Sequence, residues 1–228
     1  MLAETERPIV VYVTDRKSLD PKAPAGSVID RMHAAMVAGV DWVQIREKDL
    51  EPRELLELSR QAVAESIVGS VMDEARPEVL IVVNGRLDVA LAASCAGVHL
   101  GHESIPAGEV VHWCRGGNAP AEFLIGVSCH TLEEVQQAEK VGASYAFFGP
   151  IFDTPSKRAS GQPQAVGRLG EICHAVRIPV IAIGGINAEN AAQCYAVGAK
   201  GIAAIRLFQE TVDPSVLSDI VARLHEPL

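Results

Sequence analysis

The sequence predicts an α/β fold of the (β/α)8 TIM-barrel class, and three observations carry the prediction. Eight short β-rich runs recur along 228 residues, segments with helical spacing separate them, and the runs are continuously apolar rather than alternating. Strands of that kind are buried on both faces, as in a parallel sheet covered by helices. Parallel neighbours need crossover helices, and eight such units close more naturally into a barrel than into an open doubly wound sheet. Composition agrees: 48% of residues are hydrophobic but only 4% aromatic, so small aliphatic side chains dominate.

In chain order, IVVYVT (9–14) is the first strand, and a helical segment follows at 27–38. WVQIR (42–46) comes next, with helical spacing over 51–67. VLIVV (79–83) breaks at Asn84-Gly85, ordinarily the strongest short hairpin signal. A hairpin needs an antiparallel strand after it, whereas residues 86–93 have the pattern of a short helix, so Gly85 is read as the rim of a barrel strand. GVHL (97–100) and FLIGV (123–127) are the fourth and fifth strands, the latter followed by a helix over 132–141 that Thr131 can cap. YAFFG (145–149) precedes a helix at 167–176, IPVIAIG (178–184) one at 188–197, and GIAAI (201–205) completes the ring. No low-complexity linker or strict repeat interrupts the series, which predicts a single barrel domain over 1–228.

In such a barrel chemistry belongs at the carboxyl ends of the strands. Polar residues collect there: Thr14-Asp15, Gln44 to Lys48, Asn84, His99 to Ser104, Ser128 with His130, the stretch from Pro150 to Lys157, and Gly184-Gly185. Gln44 and Arg46 are two residues apart and share the face that points into the barrel. An arginine there needs an anionic ligand or a partner, and Glu47 is the local alternative. Lys48 then sits at the entrance.

The glycines of AIGGI (182–186) and the turn at Ile205-Arg206 suit a phosphate, because glycine lets a ligand approach the backbone and helix starts offer free N–H groups. Tight turns alone are the plainer explanation. In GPIFDTPSKRASG (149–161), Thr154, Ser156 and Lys157 offer hydroxyls and a cation for a phosphate or diphosphate, unless the loop is simply solvated. His130, directly after the fifth strand, is the leading general-base candidate, with His99 and His102 as competitors and a structural histidine as the alternative.

Taken together, VQIREK, NGRLDVAL, GVHLG, GVSCHTLEEV, YAFFGPIFDTPSKR and IPVIAIGGI, in this order, resemble the thiamine phosphate synthase and TenI-like thiazole tautomerase superfamily. The resemblance implies a (β/α)8 barrel that binds a small-molecule thiazole phosphate in thiamin biosynthesis. Synthases of this family ionise a pyrimidine diphosphate with help from magnesium, and their pattern places aspartates where this chain has Gly85 and Ser104. Neither supplies a carboxylate, although Glu103 is adjacent.

The sequence therefore predicts first a metal-independent, tautomerase-type isomerase that forms the carboxythiazole phosphate. By resemblance, His130 is the base and Arg46 holds the substrate carboxylate, while Gly184, Gly185, Ile205 and Arg206 hold the phosphate. Asn84 and Ser128 join the substrate-binding set. No cofactor or metal is expected, and magnesium only under the alternative of a thiamine phosphate synthase. Gln44, Lys48, Thr154, Ser156 and Lys157 match that alternative. A non-catalytic regulator of the pathway is the third reading. Arg206 stands where the family usually has serine.

A net charge of −9 offers no general field for nucleic acid, and no apolar run is long enough to cross a membrane. Neither partner is expected, the cytoplasm is the expected location, and a homo-oligomer is left open. Five scattered cysteines without a C-x-x-C pair are read as reduced thiols rather than disulfides or zinc ligands.

Overall fold

The structure is a computed structural model describing residues 7–18, 27–73, 77–153 and 164–226. All eight predicted strands are present: β1 (Ile9–Val13), β2 (Trp42–Ile45), β3 (Leu80–Asn84), β4 (Gly97–Leu100), β5 (Leu124–Cys129), β6 (Tyr145–Phe148), β7 (Val180–Ile183) and β8 (Gly201–Ala204). They form a closed barrel in sequence order, each parallel to the next, and β8 returns to β1 with Val10 opposite Ile202. The (β/α)8 class is thus the observed one.

Alternation along each strand makes two cores. Val10, Tyr12, Val43, Ile45, Val83, Val98, Leu100 and Ile202 face outward into the apolar layer under the helices. Ile9, Val11, Val13, Trp42, Tyr145, Phe147, Ile181 and Ala203 fill the barrel itself. Glycine opposite an aromatic ring makes that filling fit: a Cβ on Gly126 would collide with the Tyr145 ring.

The surrounding helices are α1 (Ser27–Ala38), α2 (Pro52–Met72), α3 (Leu87–Ala92), α4 (Ala107–Trp113), α5 (Leu132–Lys140), α6 (Ala165–Ala175), α7 (Ala191–Ala196), α8 (Arg206–Glu210) and α9 (Pro214–Leu224). Glu51 and Glu54 form a capping box at the start of α2, with Pro52 in the first helical position. α2 extends past the expected residue 67, and its added end exposes Val68, Val71 and Met72. α4 is absent from the sequence-based reading because Pro106 and Gly108 obscure its period; it runs into a π turn at Cys114–Asn118.

At the foot of the barrel, the Asp41 carboxylate accepts hydrogen bonds from the Val10 amide (2.7 Å), Arg7 (2.7 Å) and His225 Nε2 (2.9 Å). All five cysteines are free, and four are buried. Burial raises their thiols, Cys95 and Cys129 each to about 12, which makes them packing residues rather than nucleophiles.

Candidate active site

The inward-facing residues at the carboxyl ends of the strands line a cavity of about 670 Å³. Gln44, Arg46, Lys48, Asn84, Ser128, His130 and Ile205, all singled out in the sequence, meet there. Gln44 is buried and its Nε2 donates to Asn84 Oδ1 at 3.3 Å, so the ends of β2 and β3 are cross-linked.

The Arg46 amide donates to Thr14 Oγ1 (2.9 Å), and its guanidinium lies 3.4 Å from Asp15 Oδ2. The alternative of a local Arg46–Glu47 pair is not what forms. Successive residues leave the strand on opposite sides, and Glu47 turns away into a buried pair with Arg16 at 3.0 Å. Arg16 also grips Asp49 at 2.6 Å and, with Lys17, holds that carboxyl well below the usual range. The loops after β1 and β2 are thereby fastened together behind Arg46, which keeps its charge toward the cavity.

His130 is fixed by two bonds. Its amide donates to Glu134 Oε2 (2.6 Å), while Thr131 Oγ1 caps the start of α5 by accepting from the Glu134 amide at 3.2 Å. Its Nδ1 lies 2.5 Å from the Gly149 carbonyl oxygen. A carbonyl only accepts, so Nδ1 carries a proton, and in the neutral form of the ring the lone pair sits on Nε2. That is the tautomer a general base requires.

His99 does not compete for this role. It is 1% exposed inside the barrel, between Tyr145 Oη at 3.2 Å and Ser128 Oγ at 2.8 Å. Burial, aided by the nearby Arg46 charge, pushes its pKa down to about 3, so it stays neutral near pH 7. Period-two alternation carries the signal for this placement, because His99 shares the inward face with Gly97. His102 is exposed at the rim.

A second cavity of about 350 Å³ adjoins the first, the two sharing Ile183 and Ile205. Gly184 and Gly185 line it, with φ of +98° and +68°. A Cβ on Gly184 would lie 2.6 Å from Pro150 Cα, and one on Gly185 2.7 Å from the Asp153 carbonyl oxygen. Conformation and space both demand glycine, which exposes backbone to a ligand. Asn190 Nδ2 holds the turn by donating to the Gly185 carbonyl at 2.9 Å. Arg206 begins α8 at the rim, with its Nε 3.9 Å from Glu210. Thr154, Ser156 and Lys157 lie outside the described residues.

Gly85 and Ser104 face each other in the lining of the first cavity, so close that a Cβ on Gly85 would lie 3.6 Å from Ser104 Oγ. The donor set here does not fit magnesium. Asp15 is engaged with Arg46, and Glu103 is exposed. Among the described residues no three His, Cys, Asp or Glu side chains cluster as metal ligands.

A family model described as Thiamine monophosphate synthase matches residues 10–208. The chain belongs to that family. It is 38% identical over 221 residues to the thiamine-phosphate synthase of Roseiflexus castenholzii, covering 95% of this chain and 90% of that one. A putative thiamine-phosphate synthase 2 of Aquifex aeolicus is 36% identical over 205 residues, covering 90% of this chain and all of the relative. Among solved structures, the thiamine phosphate pyrophosphorylase of Pyrococcus furiosus superposes with a TM-score of 0.78 at 29% identity, covering 95% and 94% of the two chains. The resemblance read from the motifs is therefore the family found, and the chain is an enzyme of thiamin biosynthesis. As to branch, relatives named thiamine-phosphate synthase favour the transferase alternative over the isomerase expected first. No helix among the described residues is long and apolar enough to cross a membrane.

Proposed function

We propose that this barrel joins a pyrimidine diphosphate to a thiazole phosphate, the thiamine phosphate synthase reaction, on a site whose metal-binding wall has degenerated. The observation that carries the reading is the pair of adjoining cavities, one a glycine-built cup and the other lined by Arg46, Lys48 and Arg86. Two phosphorylated reactants need two anion sites that open onto each other, and three cations at the larger one suit a diphosphate better than a lone carboxylate. The relatives named thiamine-phosphate synthase support the same reading.

In this site the thiazole phosphate rests on the backbone at Gly184 and Gly185, with Arg206 at the rim. The diphosphate lies toward Arg46 and Lys48. As the C–O bond to the diphosphate breaks, negative charge grows on the leaving group, and fixed cations in a partly water-excluded mouth stabilise that charge. The thiazole nitrogen then supplies the electron pair for the new C–N bond. Holding both reactants in one mouth removes the entropic cost of their encounter. The single barrel domain and its reduced thiols suit a cytoplasmic enzyme.

One observation favours a second reading. The carboxylate-free pair Gly85 and Ser104, together with the free Nε2 of His130, suits proton transfer on a thiazole phosphate carboxylate without metal. A side-by-side assay separates the two readings. The purified chain receives either both synthase substrates or the thiazole phosphate carboxylate, each with magnesium and with EDTA. Formation of thiamine phosphate supports the transferase, and aromatisation alone, undiminished in EDTA, replaces it with the isomerase.

A further inference from the structure

Three groups run in line from the barrel interior to the cavity: Tyr145, His99 and Ser128. Tyr145 and His99 are each 1% exposed, and the Tyr145 hydroxyl lies 3.2 Å from His99 Nδ1. The other ring nitrogen, Nε2, lies 2.8 Å from Ser128 Oγ. Ser128 reaches the cavity from β5, and His99 borders it beside Ser128 while Tyr145 stays behind.

Which way the hydrogens point follows from what each group can do. Burial raises the Tyr145 phenol far above its ordinary range, so it keeps its proton. A buried O–H left without an acceptor is costly, and His99 Nδ1 is the acceptor within reach. Tyr145 therefore donates to Nδ1, and Nδ1 carries no hydrogen. A neutral imidazole has one N–H, which must then sit on Nε2 and donate to Ser128 Oγ. With its oxygen already accepting from the ring, Ser128 has its own hydrogen left to give.

We infer that the buried Tyr145–His99 pair locks Ser128 as a hydrogen-bond donor toward the cavity, so that the ligand group seated against β5 is an acceptor, a ring nitrogen or an oxygen. The inference deepens the proposed function by naming the polarity of one substrate contact. Tyr145 and His99 act as positioning residues, and Ser128 is the group that touches the ligand. A ligand with an N–H aimed at this point meets a second donor and is rejected, which makes the relay a specificity device.

Histidine ¹⁵N NMR on the ligand-free full chain tests the lock without relying on any substrate. The expected spectrum has His99 Nδ1 bare and Nε2 protonated, unchanged from pH 8 to pH 5, and Tyr145→Phe adds a population with the proton on Nδ1. A wild-type His99 protonated on Nδ1, or on both nitrogens in that range, overturns the lock. Calorimetric titration with the pyrimidine diphosphate alone tests the consequence. Ser128→Ala should weaken binding about 10-fold, the usual cost of one lost hydrogen bond, and Ser128→Thr should restore it to within about 3-fold. Equal binding by wild type and Ser128→Ala overturns the donor role. A wild type that binds no pyrimidine diphosphate while keeping the expected spectrum overturns the proposed function and leaves the lock standing.

Discussion

Across the barrel mouth stand two turns that both use glycine at positive φ, Gly184-Gly185 after β7 and Gly85 after β3. At the first, any side chain would strike Pro150 or Asp153. At the second, a Cβ would meet only Ser104 Oγ, at an ordinary 3.6 Å. Residue 85 has φ of +70°, a conformation that aspartate and asparagine tolerate better than most residues. The cup is therefore glycine by necessity, whereas the opposite wall is glycine by choice of sequence. Backbone sterics fix the shape of the cup, whereas the opposite wall has room for a different side chain.

Breaking the cup should produce the largest change. Gly184→Ala forces alanine to a φ of +98° and against Pro150, and is expected to destabilise the fold by about 2–4 kcal/mol and to abolish inorganic phosphate binding, read by thermal melting and titration calorimetry. Full phosphate affinity in that variant would show that the glycines only turn the chain. Next in size is Arg46→Gln. It removes a charged contact beside the larger cavity and should weaken pyrimidine diphosphate binding about 10- to 100-fold, while phosphate binding at the cup stays within about 2-fold.

Filling the exchangeable wall sharpens the contrast. The double substitution Gly85→Asp with Ser104→Asp places two carboxylates face to face, and magnesium should then raise the melting temperature of the variant by a few degrees and not that of the parent. A parent stabilised by magnesium to the same extent would mean that the present side chains already hold the ion.

The remaining effect is silent at neutral pH and emerges only on acidification. His99 has an ordinary value of 6.5 in the unfolded chain and about 3 in the barrel, so between those values the unfolded state binds more protons. Stability is then lost as pH falls through that window, at up to about 1.4 kcal/mol per pH unit. His99→Gln should flatten the acid limb of a urea-unfolding series. A limb of equal slope in both proteins would assign the acid sensitivity to other groups.

Most of the barrel was legible because eight buried strands leave a simple pattern, apolar runs ending in polar residues. The same pattern put Gln44, Arg46, Asn84 and His130 at one mouth, where the structure also has them. The partners were harder to see. Arg46 finds Asp15 and Glu47 finds Arg16, contacts that span 31 positions in the chain and follow from the pairing of β1 with β2 rather than from sequence proximity. α4 was missed because a proline and a glycine stand where its period should start. The role of His99 was obscured because its ring is defined by Tyr145, 46 residues away.

At the other end of the barrel, Asp41 holds Arg7 and His225 at once. One carboxylate thus buckles β1 and the segment before it to the end of α9, a non-covalent tie between parts of the chain far apart in sequence. Its mechanical consequence is that force pulling Arg7 away from His225 loads this buckle before it loads any residue of the mouth. A chain opened at another loop and rejoined across Arg7 and His225 would keep its hoop intact.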